Sequence, residues 1–200
     1  SPHHTASGIA LIGGGAFPKP GEITLAHRGV LFLDEFPEFP RHVLENLRQP
    51  LEDGLVTVSR AATSITFPAR FTLVAAMNPC PCGYFGDCGK ECVCPPAAIE
   101  RYRKKISGPI LDRLDLKIIV PRLKENELIN LAKLENMKRI KKIINVAENL
   151  QETRLKPYGL FYNSEMDYKI VETICRLDSA GEKLLKEAIA RFQLSARAYH

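Results

Sequence analysis

The order of hydrophobic and polar residues divides the chain into a strand-rich part and a helix-rich part. Apolar runs at residues 29–34, 71–77 and 115–120 predict strands. The first run has no polar alternation, which is typical of a strand buried on both faces of a parallel sheet. Residues 55–59 and 64–68 predict a β-hairpin with Arg60 near its tip.

Helical spacing of apolar residues predicts the remaining elements. Residues 41–51 and 97–105 predict helices between the strands, and the second of these is strongly basic. After Pro121 the pattern is helical throughout, with helices expected at 125–131, 135–153, 166–177 and 180–192. Strands followed by helices indicate an α/β domain over residues 1–121 and a small all-helical domain over residues 122–200.

Composition restricts the class of protein without identifying it. The chain has 200 residues, of which 45% are hydrophobic and 26% are charged, as is ordinary for a globular protein. Neither a run of about 20 apolar residues nor an amino-terminal basic and apolar leader occurs, so we expect a cytoplasmic protein without membrane contact. The net charge of +5 is compatible with nucleic-acid binding.

Two adjacent carboxylates, Asp34 and Glu35, end the first apolar run. Ligands bind beyond the carboxyl ends of parallel strands, and an NTPase needs one carboxylate for Mg²⁺ and another for the attacking water. A strand followed by an acidic turn is the alternative. The chain contains no phosphate loop, because Lys19 lies between two prolines that lack the N–H groups needed to bind phosphate.

Three further polar residues stand at informative positions. Asn78 ends the second strand, where an amide can orient a water molecule, and Arg113 directly precedes the third strand. Arg197 lies in the helical part. The alternative for Arg113 is a surface ion pair with Asp112 or Asp115, worth about 0–1 kcal/mol, and the alternative for Arg197 is a solvated helix face.

These residues, taken in order, resemble the Walker B, sensor 1, arginine finger and sensor 2 positions of AAA+ ATPases. Longer strings resemble one branch, the ComM/YifB family of magnesium-chelatase-like AAA+ proteins. The strings are PHHTAS at 2–7, PGEITLAH at 20–27, RQPLEDG at 48–54, AAMNPCPCG at 75–83 and LSARAYH at 194–200. The resemblance covers nearly the whole chain and is loose only over residues 124–179.

The resemblance implies a partial AAA+ fold with a helical lid domain, and a role for each matched residue. Asp34 would hold Mg²⁺ through water, Glu35 would polarise the attacking water and Asn78 would position it. Arg113 would reach the ATP of a neighbouring subunit, and Arg197 would contact the γ-phosphate from the lid of its own subunit.

The implied function is an ATP-driven homo-oligomeric ring, expected to be a hexamer, that acts on DNA in branch migration during natural transformation (competence). Arg60, on a hairpin that would face the central pore, would meet a DNA phosphate; an ordinary solvated turn is the alternative. A magnesium-chelatase motor for metal insertion into porphyrin is the second interpretation. A zinc-stabilised nucleic-acid-binding module without enzyme activity is the third.

Five cysteines lie between residues 80 and 94, in two C-x-C pairs that flank a glycine-rich loop. Cys80, Cys82, Cys92 and Cys94 are the expected ligands of a structural Zn²⁺, with Cys88 as a possible substitute. A loop of reduced thiols is the alternative. Cys175 is expected in the core, and His3 and His4 are interpreted as loop residues because the sequence offers them no nearby carboxylate.

The missing phosphate loop leads to a further expectation. The three strands would be the third, fourth and fifth of the AAA+ sheet, whereas the first strand, which lies between the fourth and fifth, would precede residue 1. The last strand should then stand apart from the other two or collapse onto them, leaving an apolar edge unpaired. We expect the 200-residue chain alone to be inactive, and ATP hydrolysis to be a property of a longer parent protein.

Overall fold

A computed structural model describes residues 1–15, 17–60, 63–87, 89–122 and 135–194, excluding the side chains of Arg60, Thr63, Glu135 and Asn136. The chain forms two compact units, Ser1–Val120 and Pro121–His200. In the described ranges, none of the helices combines the length and apolarity that a membrane crossing requires. The predicted helix at 125–131 lies outside the described residues.

The first unit alternates short helices and strands. Its regular elements are α1 (Gly8–Ile12), β1 (Gly13–Gly14), β2 (Lys19–Pro20), α2 (Glu22–Leu25), β3 (Val30–Leu33), α3 (Arg41–Glu45), α4 (Arg48–Asp53), β4 (Leu55–Arg60), β5 (Thr63–Pro68), β6 (Thr72–Ala75), α5 (Pro96–Arg103) and α6 (Gly108–Leu111), with a 3₁₀ turn at Phe36–Glu38. The predicted helix over 41–51 is divided between α3 and α4.

Strands β3 and β6 pair in parallel, with Val30 opposite Thr72 and Leu33 opposite Ala75. The α/β fold class is confirmed and agrees with part of an AAA+ sheet. The prediction that β3 is buried on both faces is wrong. Leu31 and Leu33 are buried, whereas Val30 is 62% and Phe32 is 37% exposed. In the described chain a helical layer covers one face of this two-stranded sheet, and burial of a second face needs a second layer.

The core lies on the covered face. It joins β3 to the helices and to one face of the hairpin, and its buried members include Leu11, Ile23, Leu31, Leu33, Phe36, Val43, Leu44, Leu47, Val56 and Ile110. The spacing of Val43, Leu44 and Leu47 turns the apolar side of α3 and the start of α4 toward β3.

The predicted hairpin is confirmed. Strands β4 and β5 pair in antiparallel register from Leu55 opposite Pro68 to Arg60 opposite Thr63. Gly54 turns the chain from α4 into β4 with a φ of 67°, and a Cβ added there would lie 2.6 Å from Cγ of Arg70. A glycine is therefore needed at this turn, since other residues rarely adopt that backbone conformation.

The expected third strand at 115–120 is not formed. The described residues 114–122 have no regular secondary structure, and Ile119 is 94% exposed. A strand requires a neighbour that satisfies its backbone hydrogen bonds, and among the described residues β3 and β6 pair only with each other. The segment therefore stands apart from the sheet, with apolar side chains in solvent.

The second unit contains helices α7 (Glu135–Leu155), α8 (Tyr168–Ile174) and α9 (Ser179–Phe192). Short 3₁₀ turns at Lys156–Tyr158 and Asn163–Glu165 separate α7 from α8. Asp167 caps α8 and Asp178 caps α9 by accepting backbone N–H groups of the first turn. The predicted apolar stripe of α7 is exposed; Ile143, for example, is 58% exposed.

Candidate functional site

The carboxyl ends of β3 and β6 lie side by side. The N–H of Ala76 donates to the carbonyl of Leu33, and the N–H of Phe36 donates to the carbonyl of Ala76, each at 2.9 Å. Asp34 and Glu35 therefore follow one strand, and Asn78 follows its parallel neighbour. The structure places these three predicted residues at the same edge of the sheet, and all three are exposed.

Glu35 has a left-handed backbone, with φ 50° and ψ 43°. Its N–H donates to Oδ1 of Asp34 at 2.8 Å, which fixes the orientation of the Asp34 carboxylate relative to the strand end. A left-handed conformation is uncommon for a residue other than glycine, and such residues concentrate at functional sites. Two exposed carboxylates and an amide can hold a hydrated divalent cation and orient a water molecule.

His4 contacts this site, and the sequence did not predict this contact. Its Nδ1 lies 2.8 Å from Oε2 of Glu35. His3 and His4 stack with ring centroids 4.1 Å apart, and Nδ1 of His3 lies 3.0 Å from Oγ1 of Thr5. The interpretation of His4 as a residue without a nearby carboxylate is therefore wrong. The partner is distant along the chain, so only the fold brings the two together.

The end of helix α5 and the residues that follow it lie near the turn after β3. Tyr102 is 6% exposed, and burial followed by the charge of Glu38 raises the pKa of its hydroxyl. The backbone of Asn78 acts on this pKa in the opposite direction, and the charges at Cys80 and Glu35 raise it further. Two residues beyond the helix, Nζ of Lys105 lies 3.1 Å from Oε2 of Glu38.

Arg113 is held within its own chain. One guanidinium nitrogen donates to the carbonyl of Pro109 at 2.8 Å, and another forms an ion pair with Glu52 of α4. Its side chain is 12% exposed, and its buried Nε has no hydrogen-bond partner among the described residues. An ion pair was the alternative interpretation, but the partner is Glu52, and not Asp112 or Asp115 as the sequence suggested.

Three predicted site positions lie outside what the structure describes. Arg197 and Cys88 are not described, and of Arg60 only the backbone at the end of β4 is described. Their assignments stay predictions.

The four expected zinc ligands form a cluster. Sγ of Cys80 lies 3.4 Å from Sγ of Cys82 and 3.7 Å from Sγ of Cys92, and Cys82 and Cys92 are separated by 3.6 Å. With Cys94 included, all four sulfur atoms lie within 4.8 Å of one another. Zn–S bonds of about 2.3 Å in a tetrahedron separate the sulfur atoms by about 3.8 Å. The donor set and its spacing therefore fit a metal ion.

The thiols differ in acidity. A backbone hydrogen bond from Tyr84 lowers the pKa of Cys82 to about 6. At Cys92 a backbone hydrogen bond from Cys94 lowers the pKa, but burial and the thiols of Cys82 and Cys80 outweigh it and raise the pKa to about 12. Burial also raises the pKa of Cys94. A metal ion that bound four thiolates at neutral pH would therefore displace protons.

Cys175 does not belong to the cluster. It follows α8 and is exposed, so its predicted place in the core is wrong. The exposed position follows from the short helix that precedes it, which buries none of its described residues.

Comparison with known proteins gives two family matches. A model of "Magnesium chelatase, subunit ChlI" matches residues 1–128, and a model of "Magnesium chelatase, subunit ChlI C-terminal" matches residues 134–200.

Individual relatives are similar over the whole chain. Competence protein ComM of Haemophilus influenzae is 46% identical over 201 residues, and an uncharacterized protein YifB of Escherichia coli is 42% identical over 201 residues. In both, the match covers 100% of this chain but only 38% of the relative. The magnesium-chelatase subunit ChlI of Euglena gracilis is 28% identical over 69% of this chain and 38% of its own length.

Proposed function

Because the chain belongs to the magnesium chelatase subunit ChlI family, in the branch that includes ComM and YifB, we propose that it forms part of an ATP-hydrolysing AAA+ ring motor. The chain spans 38% of the length of these relatives. Activity, substrate and oligomeric state are therefore proposed for a longer protein that contains this chain, with a hexameric ring as the assembly.

One observation carries the proposal: Asp34, Glu35 and Asn78 meet at the ends of two hydrogen-bonded parallel strands. Asp34 would hold Mg²⁺, which neutralises charge on the terminal phosphates when ATP is bound. Glu35 would accept a hydrogen bond from the attacking water and polarise it, and Asn78 would fix the position of that water. The left-handed backbone of Glu35 supports a functional role for this turn.

Arg113 would complete the site of a neighbouring subunit. Its present partner, Glu52, is 58% exposed, so solvent screens the ion pair from the side of the carboxylate. The developing charge of a transferring phosphoryl group is a stronger partner for a guanidinium than a solvated carboxylate. Arg197 would contact the γ-phosphate from the lid of the same subunit.

DNA is the proposed substrate of the motor, in branch migration during natural transformation. The similarity to a competence protein and the net charge of +5 support this choice. A magnesium-chelatase motor is the second candidate, favoured by the family model and by the Euglena gracilis relative. A zinc-stabilised nucleic-acid module without enzyme activity is the third.

ATP turnover by the longer protein, measured with and without single-stranded and branched DNA, tests these candidates. We expect turnover that DNA stimulates, and no turnover by the 200-residue chain. Turnover that responds only to chelatase partner subunits would favour the second candidate. DNA binding without any turnover would favour the third and contradict the motor.

We further propose that Cys80, Cys82, Cys92 and Cys94 hold one structural Zn²⁺. The sulfur separations of 3.4–3.7 Å among Cys80, Cys82 and Cys92 support a tetrahedral ion. Four thiolates leave no open coordination position, so the ion would stabilise the loop between β6 and α5 and take no part in chemistry. Elemental analysis of the purified chain should find one zinc per molecule, and protein free of zinc after purification without chelators would contradict the assignment.

A further inference from the structure

Two neighbouring aromatic rings in the loop between β6 and α5 each contact a cation. Nζ of Lys90 lies 4.2 Å from the centre of the Tyr84 ring, and Cζ of Arg103 lies 4.9 Å from the centre of the Phe85 ring. Arg103 is the last residue of α5, so the loop and the helix contribute to one surface. We call these four side chains the aromatic–basic patch. Its two cations are exposed, and Phe85 is 45% exposed.

A tight turn holds the two rings in place. The N–H of Asp87 donates to the carbonyl of Tyr84 at 3.0 Å, and this hydrogen bond closes the turn. Phe85 lies at its corner, and Gly86 follows with a φ of 82°, a conformation that favours glycine at this position of a turn. Oδ1 of Asp87 also accepts the N–H of Lys90 at 3.3 Å. The patch is therefore formed before a ligand arrives, which lowers the cost of ordering it on binding.

The two cations of the patch are not neutralised by carboxylates. Lys104, the residue after Arg103, forms an ion pair with Glu100 at 2.6 Å. Within the described ranges, by contrast, Lys90 and Arg103 have no carboxylate partner, and their contacts are with the two rings. The face of a ring attracts a cation without cancelling its net charge, so both cations can also pair with an anion.

Cations beside flat aromatic rings match the chemistry of a single strand of nucleic acid. Its phosphates pair with lysine and arginine, and its unstacked bases lie on aromatic rings and on guanidinium planes. A duplex offers phosphates but keeps its base faces stacked, and an acidic peptide offers carboxylates without bases. The half-exposed ring of Phe85 therefore favours a single strand over both.

We propose that the aromatic–basic patch binds single-stranded DNA, with bases on the rings of Tyr84 and Phe85 and phosphates at Lys90 and Arg103. This inference rests on the DNA substrate of the proposed function. It adds a contact outside the β4–β5 hairpin, where Arg60 is the predicted contact. The four proposed zinc ligands lie on both sides of residues 84–90 in the sequence, so that ion would stabilise the loop that presents the patch.

The first test measures the role of the ring. Fluorescence anisotropy follows binding of the 200-residue chain to a labelled thymidine oligonucleotide of about 16 nucleotides. Phe85→Leu keeps an apolar side chain but removes the flat face, so affinity should fall by about tenfold. Phe161→Leu is the matched control, because Phe161 is 61% exposed and belongs to the second unit. An unchanged affinity in Phe85→Leu would overturn the proposal.

The second test separates a phosphate contact from general attraction by net charge. Arg103→Gln and Lys104→Gln remove one positive charge each from adjacent positions. Arg103→Gln should weaken binding and reduce the slope of log affinity against log salt by about 0.7, the value for one phosphate contact on a single strand. Lys104→Gln should keep the slope, and Arg103→Lys should restore it. Equal effects of Arg103→Gln and Lys104→Gln would overturn the patch.

Competition distinguishes the classes of ligand. Unlabelled single strands should displace the labelled oligonucleotide, whereas a duplex of the same length and polyglutamate should each require at least about tenfold more competitor, because neither offers free bases. Equal displacement by polyglutamate would overturn the proposal in favour of an acidic protein partner. An unaltered chain that binds no single-stranded DNA would also overturn it.

These outcomes are independent of the proposed motor. Turnover of the longer protein that DNA stimulates, together with a 200-residue chain that does not bind DNA, would contradict the patch alone. Binding that depends on Phe85 and Arg103, together with a longer protein that lacks turnover, would contradict the motor and support the patch.

Discussion

The two candidate sites of the first unit differ in where their parts come from. The cysteine cluster takes four ligands from residues 80–94, and its sulfur atoms lie within 4.8 Å of one another. The carboxylate–amide site draws on two strands and on His4, and its Asp34, Glu35 and Asn78 side chains are exposed. The first site has a full set of donors in this chain. In the proposed function, the second would act on a nucleotide held by residues other than those described.

Glu35→Gln in the longer protein should have the largest effect on the carboxylate–amide site. The substitution keeps the size of the side chain and removes the charge that would polarise water, so turnover should fall by about 10²–10⁴-fold. Nucleotide binding, measured with a fluorescent ATP analogue, should be retained. Glu148→Gln on the exposed face of α7 serves as a control and should leave turnover unchanged. Normal turnover in Glu35→Gln would contradict the site.

Cys92→Ser tests the cluster in the chain as it is. Loss of one thiolate should weaken zinc binding more than about 100-fold, since a ligand counts for at least as much as the groups that orient it. Cys175→Ser should have no effect, because this cysteine is exposed and remote in sequence. Competition with a colorimetric chelator measures both affinities, and equal values for the two variants would refute the cluster.

Acidity gives the same experiment a second readout. The pKa of Cys92 is raised to about 12, so without metal this thiol is protonated at neutral pH. Zinc must displace that proton, and affinity should therefore fall as pH is lowered. A zinc affinity that does not change between about pH 8 and about pH 6 would contradict thiolate ligation.

Leu33→Ala tests whether the carboxylate site depends on the packing of the buried residue that precedes Asp34. Leu33 is fully buried directly before Asp34, so its truncation should cost about 2–5 kcal/mol in the free energy of unfolding. Ile118→Ala, in the exposed segment after α6, should cost less than about 0.5 kcal/mol. Urea unfolding followed by circular dichroism measures both, and similar costs would show that residue 118 is packed.

The smallest expected effect is that of His4→Asn. His4 contacts Glu35 at 2.8 Å from a partly exposed position, so its loss should alter turnover of the longer protein by only about threefold. His3→Asn, which leaves the contact with Glu35 in place, should have less effect. A larger change in His3→Asn than in His4→Asn would show that the contact has no part in activity.

Local patterns in the sequence were sufficient to predict some features of the two candidate sites. The C-x-C pairs predict the ligand set because its members are close along the chain, and parallel strands bring Asp34 and Asn78 together because their ends share an edge. Contacts between distant segments were not predicted: His4 with Glu35, Arg113 with Glu52, and Lys105 with Glu38. Apolar runs predict strands, but whether a run forms one depends on a neighbour, as residues 115–120 demonstrate.

The exposed run Leu116–Val120 also has a consequence for the behaviour of the protein in solution. At low ionic strength the net charge of +5 keeps molecules apart. Added salt screens this repulsion within about 10 Å at 0.1 M and leaves the apolar side chains of Ile118, Ile119 and Val120 free to associate. Solubility should therefore decline as salt rises, and polar substitutions at 118 and 119 should make the chain easier to handle in concentrated buffers.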